Sequence, residues 1–139
     1  MDMQARARLM KAIAKQNEMG GEVAVPLDQF FQGNDDQGSI GCNLGSGQPS
    51  IPTFYELLAS LREKPHVQDI WVRITDATDP ASWPYCDTVY VLSSLTQSDI
   101  EAALADLLFD EVHCGWMYGK PASAPQPDKG FSAYSVWWD

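Results

Sequence analysis

Two short segments alternate strictly, and they constrain the fold more than anything else in the chain. Over residues 67–75, Ile70, Val72 and Ile74 fall on one side and Trp71, Arg73 and Thr75 on the other; over residues 88–92, Val89 and Val91 oppose Tyr90 and Leu92. A period of two places alternate side chains on opposite faces of a strand. Helical stripes flank this pair. Phe54, Leu57, Leu58 and Leu61 precede it at i, i+3, i+4, i+7 spacing, and Ile100, Ala103, Leu104 and Leu107 follow it. Thr53-x-x-Glu56 and Thr96-x-x-Asp99 have the form of helix starts, and Pro65 ends the first helix.

With strands expected at 39–44, 67–75, 87–93 and 110–117 and helices at 53–64 and 97–107, the order is β-α-β-β-α-β. That order predicts an α+β, ferredoxin-like antiparallel sheet with both helices on one face. Outside it lie a helix over 3–17 ended by Gly20-Gly21, a short strand at 22–25, a helical turn at 26–31 and an extra C-terminal strand at 131–138. The predicted core is Leu57, Leu61, Ile70, Val72, Val89, Val91, Ile100 and Leu104. The opposite face, with Trp71, Arg73, Tyr90 and Leu92, is too apolar to stand bare. Its candidate covers are the N-terminal helix, the final strand with its neighbours, or another subunit.

Charge divides the 139 residues unevenly. Arg6, Arg8, Lys11 and Lys15 make residues 1–19 a basic helix of net charge +2, and residues 20–139 form one acidic domain of −12, for a total of −10. Such a body repels nucleic acid and anionic membrane. It favours a basic or amphipathic protein partner, or the docking of its own basic helix. No apolar run approaches the roughly 20 residues of a membrane span, and no secretory signal is spelled out at the N-terminus. Cys42, Cys86 and Cys114 form no C-x-x-C pair and read as reduced, mostly buried thiols of a cytoplasmic protein.

No phosphate loop, zinc signature or nucleophile elbow occurs, so no catalytic residue, metal site or cofactor is assigned, and the balance leans away from an enzyme. Asn34-Asp35-Asp36 reads as a turn or as a loop site for a cation or a basic side chain. His113 and Cys114 are adjacent on an expected strand and so point apart; Cys42 with His113 stays open as a pair from different elements. The aromatics of Trp83-Pro84-Tyr85 either anchor a partner or pin their own loop. Asp35, Asp36, Asp76, Asp79, Trp83 and Tyr85 are therefore the candidate partner-binding residues. His113, Trp116 and Tyr134 are the candidate lining of an alternative small-molecule pocket.

The run from Phe30 to Leu44, Trp83-Pro84-Tyr85-Cys86-Asp87 and the terminal Trp137-Trp138-Asp139 resemble an uncharacterised family of small acidic bacterial proteins, from about residue 22 onward. The resemblance implies a bacterial, cytosolic protein and carries no activity. Three functions compete. The first is a non-enzymatic interaction module, in its sharper form an inhibitor or immunity-type protein. The second is a small-molecule binder or enzyme using the aromatic pocket. The third is a homo-oligomer, such as a dimer, pairing open sheet faces.

Overall fold

A computed structural model describes all 139 residues. The elements run α1 (Met3–Met19), β1 (Ala24–Pro26), α2 (Leu27–Phe31), α3 (Ile51–Arg62), β2 (Val67–Arg73), β3 (Thr88–Ser93), α4 (Gln97–Ala103), β4 (Glu111–Cys114) and β5 (Ser132–Trp137). The fold is α+β. Its five-stranded sheet has the order β1-β2-β3-β5-β4, and every pairing is antiparallel.

The alternating segments pair as expected, with Ile70 opposite Val91 and Trp71 opposite Tyr90. Their aliphatic rows meet α3 and α4 in one cluster of 27 buried residues, which includes Leu58, Leu61, Ile70, Val72, Val89, Val91, Ile100 and Leu104; Leu57 packs at its margin. The basic helix joins the same core through Ala5, Leu9 and Ile13. Its N-cap is Asp2, whose carboxylate accepts from the Gln4 and Ala5 amides at 3.0 Å each.

The ferredoxin-like order is not what forms. Residues 39–44 make 3-10 turns rather than a strand, because Gly41 adopts a left-handed φ of 65° and turns the chain away. A single parallel bridge, Ile40 to Cys86, is all the pairing they contribute. The place beside β3 is taken instead by β5, six residues in unbroken register from Thr88–Trp137 to Ser93–Ser132. Strand β4 is correspondingly short and peripheral. Helix α3 also begins earlier than Thr53. Ser50 is its N-cap, accepting from the Thr53 amide at 3.2 Å, and Pro52 is accommodated in the first turn. Thr96 and Asp99 do form a reciprocal capping box on α4.

The second sheet face carries Ala24, Trp71, Tyr90 and Leu92 and is covered by the chain itself. Residues 115–131 cross it as a strap. Trp116 packs edge-on to Tyr90 with ring centroids 4.8 Å apart. Gln68 holds the far end, donating to the Gln126 carbonyl at 2.9 Å and accepting from the Asp128 amide at 2.7 Å.

Candidate functional site

Five of the six residues expected to bind a partner lie around one cleft of about 200 Å³: Asp36, Asp76, Asp79, Trp83 and Tyr85, with Gly38, Ala77 and Ser82. They come from two loops. The 33–38 loop is built by side chains folding onto their own backbone. Asn34 Oδ1 accepts from the Asp36 amide and Asp36 Oδ1 from the Gly38 amide, both at 2.9 Å. The second Asp36 oxygen accepts from the Trp83 amide at 2.9 Å and ties the two loops together. The 76–85 loop repeats the device. Asp76 takes the Thr78 amide and hydroxyl at 2.8 and 2.7 Å, and Asp79 takes the Ala81 amide and Ser82 hydroxyl at 2.9 and 2.8 Å.

These bonds set the charge. Asp76 is held below the ordinary carboxylate range by Thr78, side chain before backbone, and Asp79 by the Ala81 amide and then Ser82. Both are ionised at neutral pH. Burial, followed by contact with Cys42, pushes the Tyr85 phenol up, so it stays neutral.

The basic helix meets this rim. Arg6 donates from Nε to the Ser82 carbonyl at 3.0 Å and from Nη2 to the Asp79 carbonyl at 3.2 Å. Asp35, the sixth expected residue, is turned outward from the cleft lining and pairs with the Met1 ammonium at 3.0 Å.

Trp83 is not a contact anchor. It is 2% exposed, sits in the main core, and donates from its indole to the Phe30 carbonyl at 2.8 Å. The loop is pinned to the body by this ring, while Tyr85 is left half-buried at the cleft.

The alternative pocket does not assemble. Tyr134 packs against the main core, Trp116 lies on the opposite sheet face, and His113 is exposed on β4. Register explains it: His113 pairs with Ser135 and Cys114 with Tyr134, so His113 and Tyr134 point to opposite faces. Two thiols also depart from expectation. Cys86 is buried, and burial pushes its thiol up, but Cys42 and Cys114 are exposed.

Sequence reading missed one charged group of note. Arg73 is a half-buried hub that donates to Asp87 at 3.1 Å, Thr75 at 3.3 Å and Glu22 at 3.2 Å beneath the Tyr118 ring. Burial opposes its charge, but Glu22 and Asp87 outweigh that and raise its pKa. Only its place in an apolar alternating row hinted at such a role. No three His, Cys, Asp or Glu side chains converge as metal ligands, and no helix is long and apolar enough to cross a membrane.

No solved structure matches the chain. A relative from Escherichia coli (strain K12), Uncharacterized protein YfbO, is 28% identical over 114 residues, which is 81% of this chain and 80% of the relative. The model of the Uncharacterized protein YfbO family matches residues 4–136, so the match extends through the basic helix that the sequence resemblance had left outside. Helix and acidic body together, the chain belongs to the YfbO family.

Proposed function

We propose that the protein is a non-enzymatic interaction module of the cytoplasm, with the acid-lined cleft as its docking site for a basic or amphipathic protein partner. The observation that carries this reading is Arg6. A guanidinium of the chain is already held at the rim of the cleft by two carbonyl oxygens. A second cationic side chain, delivered by a partner, meets Asp36, Asp76 and Asp79 together. Each carboxylate has acceptor capacity beyond its turn-forming bonds. The acidic body steers such a partner toward the surface, and Tyr85 adds apolar contact. In its narrower form the reading is an inhibitor or immunity-type protein, whose acidic face neutralises a basic toxin or nuclease.

The test is a titration of isotope-labelled protein with a hexa-arginine peptide, followed by amide resonances. Salt-sensitive shifts gathered at Gly38, Ala77, Ser82 and Tyr85, lost in the Asp76→Lys/Asp79→Lys variant, support the cleft. Shifts spread evenly over all acidic residues, or unchanged in that variant, reject it.

A further inference from the structure

Two buried side-chain polar atoms have no hydrogen-bond partner, Nε of Arg73 and the phenol oxygen of Tyr90. They belong to one place. Trp71 and Tyr90 are register partners on β2 and β3. Arg73 lies two residues further along the same face, diagonal to Tyr90 and within reach of it. The rest of the guanidinium is engaged by Glu22, Asp87 and Thr75. Tyr118 closes the spot from the solvent side, its ring centroid 3.6 Å from the guanidinium carbon, and it is itself 39% exposed. A native fold seldom leaves such buried groups unmet without a reason. Both sit under the 115–131 strap that connects β4 to β5.

The geometry points to a small-molecule site on this sheet face, with the strap as its lid, that takes a neutral cyclic amide or imide. The ligand class follows from the two atoms. Arg73 Nε only donates, whereas a phenol oxygen both donates and accepts. A ring amide carries a carbonyl and an N–H side by side, so it accepts from Arg73 while donating to Tyr90. Glu22 and Asp87 already balance the guanidinium, so the site holds no spare positive charge for an anion. Trp71, Trp116 and Tyr118 give the flat walls on which a planar ring stacks.

The cavities of the molecule lie elsewhere, so the lid must lift for a ring to enter. Its attachments permit this. One end is held by the Ser135 hydroxyl, bonded to the Gly115 carbonyl at 2.7 Å and the Met117 amide at 3.0 Å. The other is held by Gln68. Tyr118 lies between these anchors, in a stretch whose remaining hydrogen bonds stay within the strap, such as Lys120 Nζ to the Pro121 and Ala124 carbonyls. Between residues 118 and 125 no backbone group bonds to the sheet, so lifting this stretch breaks the packing of Pro121 and Ala124 but no ladder.

The experiment is a titration of the full chain with uracil, read on the indole N–H resonances of Trp71 and Trp116. Saturable shifts of both are expected. In 1,3-dimethyluracil the ring remains but the N–H donors are gone, and its affinity is expected to fall about tenfold, the worth of one hydrogen bond. The Tyr90→Phe variant, which deletes only an unpaired oxygen and stays folded, is expected to lose about the same for uracil. No saturable shift with uracil, equal binding of the dimethyl compound, or unchanged affinity in Tyr90→Phe each overturns the site.

Discussion

The Gln16 side chain acts as a missing strand for Ala24. Its Nε2 donates to the Ala24 carbonyl at 2.8 Å and its Oε1 accepts from the Ala24 amide at 3.2 Å, so one carboxamide satisfies both outward backbone groups of the first strand. The opposite edge of the sheet is treated similarly, with Gln97 Nε2 donating to the Val112 carbonyl at 2.9 Å. An open sheet edge is a template for pairing with another chain, and these two glutamines blunt both edges from within.

Gln16→Ala should therefore do two things. Leaving the Ala24 amide and carbonyl unpaired at a half-buried site should cost about 1–3 kcal/mol in chemical denaturation. It should also raise the fraction of higher-order species in size-exclusion chromatography. A variant as stable and as monodisperse as the parent would show that the edge is protected by other means.

Leu9 in α1 and Leu61 in α3 are both buried in the same core. Replacing either with alanine should cost about 2–5 kcal/mol. A loss well under one kcal/mol for Leu9→Ala, with the expected loss for Leu61→Ala, would make the basic helix an appendage rather than part of the fold.

Tyr90→Phe should be neutral or stabilising in urea denaturation of the unliganded protein. The phenol is fully buried with no partner, and burial alone pushes its pKa up before any neighbouring charge acts. A clear destabilisation would mean that the oxygen has a partner in solution.

Asp28 supplies an acid-sensitive contribution to stability. Its Oδ1 accepts from the Tyr55 hydroxyl at 2.7 Å and from Arg62 at 3.0 Å, and these bonds, the Tyr55 one foremost, depress its pKa below the ordinary 3.8. A depressed carboxylate pKa in the folded state stabilises the protein above the unfolded value. That stabilisation fades as the pH falls below 3.8 and is gone once it has passed the folded value. The carboxylate is largely exposed, so the effect is small. Asp28→Asn should flatten the acid limb of the stability curve in that window and leave its shape near neutrality unchanged. An identical acid limb would assign the acid sensitivity to other carboxylates.

Much of the site was visible in the sequence as residue types, and little of it as geometry. Asp36, Asp76 and Asp79 stood out as loop acids, and the structure gathers them, because Asx turns are local and the Asp36–Trp83 bond then joins the two loops. Trp83 next to Tyr85 looked like a contact pair. Which of two neighbouring rings turns inward depends on a carbonyl 53 residues away, that of Phe30, and no local pattern encodes it. His113, Trp116 and Tyr134 were adjacent in expectation only. A strand ending at Cys114 instead of residue 117 put Trp116 on the strap, and the pleat sent His113 and Tyr134 apart.

The sequence by itself determined the elements whose signals are periodic: the pair of alternating strands, the helical stripes that cover them, the basic first helix and the face that needed a cover. Those signals are local, since a period of two or of 3.6 is set by backbone geometry alone. The tertiary structure decided which strand lies beside β3, what covers the second face and how Arg73 is housed. Residues 39–44 and β5 competed for the same edge. Gly41 turned the first away, while β5 pairs with β3 along all six of its residues and takes up the backbone groups on that side. That outcome depends on pairing energies between segments some forty residues apart, and no window of sequence contains both.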